Sequence, residues 1–253
     1  MASFCLFRLR RWPVNAIQRV ALLVISLLMA AQVQARVNAE NYQQFWLWAA
    51  VKPQPVLNKA STLYVLQGQI DAAKGGAVLV PQGPTVMGPV RAKNVWLAYR
   101  VHSLKWNHAV LASVLAQLSR WQQVSTTPVG IQLDFDARTY QLEQYAQFLT
   151  HLRKQLPAQY KLSITGLLDW TKTGDVKALN NLQGTLDELV VQTYRGTHSV
   201  PNYAEYLQSL HSLAIPFKVG LVQGGEWDAA WQQRLASSDF YRGEVIFLVN
   251  PAR

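Results

Sequence analysis

The chain has 253 residues, and its 24 Lys and Arg against 14 Asp and Glu give a formal net charge of +10 at pH 7. The cations are scattered and accompany no nucleic-acid-binding motif, so nucleic acid is not expected as a partner. The single cysteine, Cys5, lies near the N-terminus, and the five histidines form no H-E-x-x-H cluster; with no G-x-S-x-G or Gly-rich phosphate loop either, we expect no disulfide, metal or cofactor.

The N-terminal segment has the order of a secretory signal. Four arginines lie between positions 8 and 19, an uncharged apolar run covers Ala21–Ala31, and Val-Gln-Ala precedes Arg36. The run is shorter than the roughly 20 residues that span a bilayer, which favours cleavage after Ala35 over an uncleaved anchor. We therefore predict a signal peptide over 1–35, one domain over 36–253, a periplasmic or secreted location and no stable membrane insertion after cleavage.

Eight segments rich in β-branched and aromatic residues are typical of buried parallel strands. They cover residues 45–50, 62–67, 95–101, 130–136, 161–168, 188–194, 217–222 and 244–249. Amphipathic helices are predicted between the later strands, over 107–122, 139–156 and 202–213 and near Trp227. This alternation predicts an α/β fold, a parallel (β/α)8 TIM-like barrel. An open doubly wound sheet is the alternative, although its G-x-G-x-x-G fingerprint is absent.

The N-terminal third fits a regular barrel less well. Only a short segment joins the first two strands, and a Gly- and Pro-rich loop over 75–89, with a hairpin through 77–80, stands where a helix would normally lie. The chain also ends just after the eighth strand. The predicted barrel is therefore trimmed and irregular in this third, and it lacks the last helix.

The fourth strand carries the strongest candidate chemistry. Gln132, Asp134 and Asp136 alternate with apolar residues, so the polar set can point into the barrel while the apolar set faces the helices. Carboxylates two residues apart on a strand lie roughly 7 Å apart. Such proximity can raise the pKa of one and leave the other ionised, which provides a general acid. Alternatively, Asp134 pairs with a buried Arg or Lys, or Asp136 caps the next helix.

Further candidates lie at the other strand ends, because β/α barrels form their active sites at the C-terminal ends of their strands. The predicted substrate-binding residues are Trp48, Gln132, Asp169, Trp170, Gln192, Gln223 and Glu226. Flat aromatic faces stack on sugar rings, although tryptophans also fill cores. Asp169 could instead cap a turn, and Glu226 could be a first-turn helix residue.

The segment 129–136, V-G-I-Q-L-D-F-D, resembles the fourth strand of chitinase-type (family 18) glycoside hydrolases, and 189–194, L-V-V-Q-T-Y, resembles their sixth. From Phe45 onward the chain more closely resembles an uncharacterised bacterial family of exported TIM-barrel proteins. The hydrolase motif D-x-x-D-x-D-x-E would place its third Asp on Asp134 and its acid Glu on Asp136. Its first two Asp positions hold Val129 and Gln132, and Tyr194 matches the tyrosine of the sixth strand.

These features favour a glycoside hydrolase that acts on an envelope or extracellular polysaccharide or oligosaccharide. Asp136 is expected to be the acid/base, Asp134 its electrostatic partner and Tyr194 a hydrogen-bond donor to the substrate or transition state. A catalytically inactive barrel that binds glycan or an envelope partner is the alternative, so enzymatic activity stays open. Asp134 and Asp136 could also form the D-x-D metal clamp of a nucleotide-sugar transferase, but export argues against that donor.

Overall fold

The structure is a computed structural model that describes residues 35–48, 51–84, 91–124, 128–172, 174 and 176–250. Apart from Ala35, the predicted signal peptide lies outside these residues. Within the described part of the chain, no helix combines the length and the apolar character needed to cross a membrane.

Eight parallel strands form a closed barrel. They are β1 (Gln44–Leu47), β2 (Thr62–Ala73), β3 (Asn94–Val101), β4 (Gly130–Asp134), β5 (Lys161–Leu167), β6 (Glu188–Gln192), β7 (Phe217–Val222) and β8 (Tyr241–Phe247). Each strand pairs in parallel with the next along the chain, and β8 pairs with β1 through Ile246 and Phe45. Because β1 contacts both β2 and β8, the sheet has no open edge in the barrel. The predicted TIM-like fold is confirmed, and the open doubly wound sheet is excluded.

The helices lie between the later strands, as predicted. They are α1 (His108–Val124), α2 (Leu142–Gln155), α3 (Val176–Asn180), α4 (Ala204–Leu207) and α5 (Ala230–Leu235). Helix α2 buries Leu142, Tyr145, Leu149 and Leu152 on one face, which matches the period of an amphipathic helix. Short 3-10 helices occupy Ala39–Asn41, Pro55–Lys59, Thr139–Gln141, Leu168–Thr171 and Gln208–Ser212.

The N-terminal third is irregular in the predicted way. The strand Gly76–Pro81 pairs antiparallel with the second half of β2, where a regular barrel would have a helix. Gly75 and Gly76 turn the chain with φ values of 85° and 146°, which glycine adopts without strain. We call Gly68–Pro81 the hairpin extension. No helix follows β8 within the residues described up to Asn250.

Several strand ends differ from the predicted ones. Strand β6 stops at Gln192 rather than at position 194, because Tyr194–Arg195 starts a separate short hairpin with His198–Ser199. Strand β8 begins at Tyr241, ahead of the predicted position 244. Another short pair joins Ala35–Arg36 to Glu226–Trp227. One of these short pairs depends on a tight turn and the other joins distant parts of the chain, and a hydrophobic pattern encodes neither.

The N-terminal part of the barrel interior holds a buried ion pair. Lys218 Nζ lies 2.6 Å from Glu188 Oε2, and both side chains are almost fully buried. Tyr64 Oη donates to Glu188 Oε1 over 2.6 Å and accepts from Lys218 Nζ over 2.9 Å, and Ser163 Oγ donates to the same carboxylate over 3.2 Å. The buried charges are therefore paired and hydrogen-bonded, as burial requires.

Amide and indole groups extend this arrangement along the barrel axis. Gln132 Nε2 donates to Ser163 Oγ over 2.9 Å, and Trp46 Nε1 donates to Gln132 Oε1 over 2.5 Å. The ring of Tyr64 stacks on that of Trp96, with the two ring centroids 5.9 Å apart. We call this set the inner network; its members are Trp46, Tyr64, Gln132, Ser163, Glu188 and Lys218.

Candidate functional site

A cavity of about 980 Å³ lies where the C-terminal ends of the strands meet, and we call it the barrel-mouth cavity. Six of the predicted site residues line it: Trp48, Asp134, Asp136, Asp169, Gln192 and Tyr194. They come from four strands or the loops that follow them. The rule that active sites of β/α barrels form at this end therefore located the cavity from sequence.

Four other predicted substrate-binding residues do not line the cavity. Gln132 is fully buried in the inner network, and Trp170, 1% exposed, packs in the core with its Nε1 donating to Ala137 O over 2.8 Å. Gln223 binds the side chain of Gln54, and Glu226 is exposed in the short strand beside Arg36. None of these four side chains lines the barrel-mouth cavity, and their contact with a substrate stays a prediction.

Asp134, at the end of β4, is the most perturbed carboxyl group of the cavity. Its side chain is 13% exposed; Thr165 Oγ1 donates to Oδ1 over 2.7 Å, and Arg100 Nε lies 3.7 Å from Oδ2. Burial raises the pKa of Asp134, and the nearby charge of Asp136 raises it further, while Thr165 and Arg100 lower it. The desolvation effect is the largest, so the balance is a raised pKa.

Asp136 lies in the loop after β4 and is exposed. Asp136, which the sequence predicted to be the acid/base, is not buried at this position. Strand β4 ends at Asp134, so the chain has left the barrel interior at Asp136. Of the two carboxyl groups, Asp134 is the one that burial surrounds, and the charge of Asp136 adds to the rise in its pKa. The catalytic roles of both residues stay predictions.

Tyr194 forms part of the cavity wall between two aromatic rings. Its ring centroid lies 6.3 Å from that of Trp46 and 5.3 Å from that of Phe247. Burial, followed by the charge of Asp134, raises the pKa of Tyr194 well above its usual value, and a hydrogen bond with Gln192 opposes the shift. The hydroxyl therefore stays protonated and can donate a hydrogen bond, as its predicted role requires.

Trp48 provides a half-buried aromatic surface beside Tyr194. Its ring meets Phe247 edge to face at 5.6 Å, and the Arg100 guanidinium lies 5.9 Å from its centroid. Its Nε1 is buried and has no hydrogen-bond partner within the described residues, and the same is true of Tyr145 Oη on α2. Trp48 and Phe247 together give the cavity an apolar wall suited to the C–H face of a sugar ring.

The sequence reasoning missed three polar residues of the site. Arg100 and His102 come from the end of β3 and line the cavity, and Thr165 on β5 binds Asp134. The same alternation that singled out β4 places Trp96, Ala98 and Arg100 on the inner face of β3. Applying this parity to every strand would have identified Arg100 and Thr165. Among the described residues, no group of three or more His, Cys, Asp or Glu could hold a metal ion.

Comparison with solved structures finds similar chains, among them two enzymes. The Bacillus cereus spore cortex-lytic enzyme SleL is 16% identical with a TM-score of 0.46, and the match covers 70% of this chain and 49% of that one. The ICChI chitinase from Ipomoea carnea is 13% identical with a TM-score of 0.44, and the match covers 74% of this chain and 85% of that one. The chain therefore spans about half the length of SleL.

Comparison with curated proteins gives no match. Comparison with family models does give one, and it covers the segment from β3 to α4 that contributes Asp134, Asp136 and Tyr194 to the cavity. The predicted resemblance to an uncharacterised family is thus confirmed: residues 97–207 match the domain of unknown function DUF3142.

Proposed function

We propose that the barrel-mouth cavity binds a polysaccharide or oligosaccharide and hydrolyses a glycosidic bond, with Asp134 as the general acid. One observation carries the proposal: a carboxyl group with a raised pKa lies in a cavity that also offers a protonated tyrosine and an aromatic wall. A glycosidic oxygen leaves as an alcohol only when it receives a proton, and a carboxyl group with a raised pKa keeps that proton to higher pH than an ordinary one.

The neighbouring residues have separate tasks in this proposal. The charge of Asp136 helps keep the proton on Asp134, and Thr165 fixes the orientation of the carboxyl group. Tyr194 donates a hydrogen bond to a sugar hydroxyl or carbonyl oxygen. Trp48 stacks on a sugar ring, and its rigid side chain loses little conformational entropy when the ligand binds.

A second candidate function is glycan binding without turnover. The contact between Arg100 and Asp134 favours it, because a nearby cation stabilises the ionised carboxylate and lowers its pKa. An ionised Asp134 accepts hydrogen bonds from sugar hydroxyls but has no proton to transfer. The two candidates therefore differ in the protonation state of one group.

A glycan-array screen of the protein, followed by product analysis on each ligand found, tests the proposal. We expect cleavage, and we expect Asp134→Asn to reduce turnover by roughly 10²–10⁴ while affinity changes little, because the variant keeps the shape and loses the proton. Asp136→Asn should cause a smaller loss through the lowered pKa of Asp134. The exposed Asp239, outside the cavity, gives a matched control, Asp239→Asn.

Three outcomes contradict parts of the proposal. Binding without cleavage by the parent protein selects the inactive barrel. Turnover that survives Asp134→Asn and disappears in Asp136→Asn returns the acid to Asp136, as first predicted from sequence. Equal losses in Asp134→Asn and Asp239→Asn would show that the effect is not local to the cavity.

We also propose that the protein acts in the periplasm or outside the cell, after cleavage of residues 1–35. The order of arginines, apolar run and Val-Gln-Ala before Arg36 supports this location. N-terminal sequencing of the protein recovered from the cell envelope should give a start at or near Arg36. Recovery with residues 1–35 still attached would favour a membrane-anchored form.

A further inference from the structure

The hairpin extension places a second group of polar residues beside His102, which lines the barrel-mouth cavity. The pairing of β2 with β3 shifts register between Leu66 and Gly68, so one extra residue is inserted in β2. Gln67, at the shift, faces α1 and accepts a hydrogen bond from Trp121 Nε1 over 2.8 Å. A β-bulge of this kind moves the side chains that follow it to the opposite face of the sheet.

After the bulge, Gln69 is the register partner of Arg100, and Ile70 is that of Val101. Gln69 and Asp71 therefore lie on the same face as Arg100 and His102. Without the inserted residue, this part of β2 would present its opposite set of side chains to the cavity, because the side-chain period of a strand is two. The hairpin extension thus places polar residues next to Arg100 and His102, which line the cavity, in a position where a regular barrel has a helix.

His102 is held by Asp71 through one ring nitrogen. Nδ1 lies 2.7 Å from Asp71 Oδ1, and Gln69 Nε2 donates to both oxygens of the same carboxylate over 2.9 and 3.0 Å. The hydrogen bond from His102, followed by that from Gln69, lowers the pKa of Asp71. An ionised Asp71 accepts the proton of Nδ1–H, so the neutral ring keeps the lone pair on Nε2.

His102 lines the same cavity as Asp134, from the neighbouring strand. Arg100 is the register partner of Asp134, and His102 lies two residues further along β3. With strands about 4.8 Å apart and a rise of about 3.3 Å per residue, the Cα atoms of His102 and Asp134 are separated by about 8 Å. In an inverting reaction an acid and a base on opposite sides of the sugar ring act on the glycosidic bond and on a water molecule, and His102 and Asp134 are two such groups on the wall of one cavity.

We propose that His102, oriented by Asp71, is the base that activates water for the hydrolysis assigned to this cavity. Nε2 accepts one proton of the water, and the hydroxide oxygen forms a bond to the anomeric carbon. The glycosidic C–O bond breaks, and the leaving oxygen takes the proton of Asp134. The proton on Nε2 then passes through solvent to the Asp134 carboxylate, which restores both groups, so the net reaction consumes one water molecule. The inference rests on the proposed function and implies inversion at the anomeric carbon.

The charged groups that share this part of the cavity are Arg100, Asp134, Asp136, Asp169 and Arg195. Arg100 contacts Asp134, which leaves Asp71 as the acidic partner of His102. The pair is partly exposed, and its histidine lines the cavity while its aspartate does not. The alternative role of the pair is to fasten the hairpin extension to β3, and the experiment must separate that role from proton transfer.

The test uses the full chain with an oligosaccharide that the glycan screen shows to be cleaved. His102→Ala should lower kcat by roughly 10²–10³ with KM little changed, and added imidazole should restore at least part of kcat, because a free base can occupy the space of the lost ring. Asp71→Asn should cause a smaller loss. His151 is also exposed and hydrogen-bonded, to Gln155, but lies outside the cavity, so His151→Ala is the matched control and should behave as the parent.

Nitrogen chemical shifts from NMR provide a readout independent of turnover. We expect the neutral His102 ring to carry its proton on Nδ1 in the parent and to lose this preference in Asp71→Asn. A proton on Nε2 in the parent overturns the inference. So does full activity of His102→Ala, or a loss that imidazole does not rescue, because a fastening role predicts the latter.

The outcomes separate this inference from the proposed function. One outcome is that the parent cleaves the glycan while Asp134→Asn is inactive and His102→Ala keeps full activity. This result supports the proposed hydrolase function and contradicts the role inferred for His102. Products that retain the anomeric configuration also exclude His102 as the base while leaving the hydrolase intact. If the parent cleaves no glycan, both proposals fail, whatever the tautomer of His102.

Discussion

Two sets of polar side chains point into this barrel, and they differ in how their charges are balanced. In the inner network, the carboxylate of Glu188 lies 2.6 Å from Lys218 Nζ and accepts hydrogen bonds from two hydroxyl groups. At the barrel mouth, the nearest cation to Asp134 is 3.7 Å away on the half-exposed Arg100, and a second carboxylate, Asp136, is close enough to raise the pKa of Asp134. In the inner network the charges are closely paired and enclosed, whereas at the barrel mouth a carboxyl group with a raised pKa faces a cavity.

This difference separates a structural polar cluster from a functional one. Attraction within a buried ion pair offsets the cost of desolvating its two charges, and removing one partner leaves that cost uncompensated. A carboxyl group that is partly desolvated and only weakly compensated is unfavourable for folding, and such groups occur where chemistry requires them. Changes in the two regions should therefore affect stability in opposite directions.

The largest effect is expected from breaking the ion pair of the inner network. Lys218→Met keeps most of the side-chain volume but leaves the Glu188 carboxylate buried without its cation, so the free energy of unfolding should fall by about 3–5 kcal/mol. Denaturant unfolding of the parent and the variant measures the change. The double variant Lys218→Met/Glu188→Gln should recover much of the loss, since it removes the unpaired charge.

A matched control for this experiment is the exposed ion pair between Lys59 and Glu40. Lys59→Met should change the free energy of unfolding by no more than about 1 kcal/mol, because solvent screens an exposed pair. If the two Lys→Met variants lose similar amounts, the inner network does not have the structural role assigned to it.

The second prediction is a gain in stability instead of a loss. Asp134→Asn should increase the free energy of unfolding near pH 7, although it abolishes most of the proposed activity. Because the folded pKa of Asp134 is raised, protonation of Asp134 stabilises the native state at low pH, and this stabilisation is lost as pH rises from the usual Asp value through the raised one. The neutral amide has no such loss. When the free energy of unfolding is measured from pH 3 to pH 8, the value for the variant should increase relative to that of the parent as pH rises.

A decrease in stability near neutral pH would contradict this assignment. It would mean that Arg100 and Thr165 compensate the charge of the ionised Asp134 well, and that Asp134, like the inner network, has a structural role. The pH series distinguishes this result from a general packing defect, because a packing defect would lower stability equally at pH 3 and pH 8.

The sequence predicted the barrel because its signals are periodic. Alternation of strands with amphipathic helices such as α2 indicated the fold, and the alternation of Gln132, Asp134 and Asp136 with apolar residues indicated the inner face of β4. Both depend only on neighbours along the chain. The cavity followed from the general rule that the C-terminal ends of the strands converge.

The electrostatic assignment could not be read in the same way. Which of Asp134 and Asp136 is desolvated depends on where β4 ends, and strand ends are poorly encoded by a hydrophobic pattern. The pairing of Asp71 with His102 depends on the β-bulge at Gln67, which changes the face of the following residues and leaves no periodic signal. Trp170 could not be assigned from sequence either. Its position next to Asp169 is compatible with stacking on a sugar ring, and only the packing of the folded chain shows that its ring lies in the core.

The smallest expected effect concerns the hydrogen bond from Thr165 to Asp134. Thr165→Val keeps the shape of the buried side chain and removes the hydroxyl that stabilises the ionised carboxylate. The pKa of Asp134 should therefore rise further, and at pH values where Asp134 is ionised the variant should lose about 1 kcal/mol of stability. Near pH 3, where the carboxyl group is protonated in both proteins, the difference should be smaller. Thr165→Ser, which retains a donor, is the matched control.

The same variant gives a kinetic readout. If Asp134 must be protonated to act, the decline of kcat/KM on the basic side of the pH profile should move to higher pH in Thr165→Val and stay in place in Thr165→Ser. A stability change without this displacement would mean that Thr165 supports the fold but does not set the protonation of the acid. A displacement to lower pH would contradict the direction in which the hydrogen bond acts on Asp134, and with it the contrast between the cavity and the inner network.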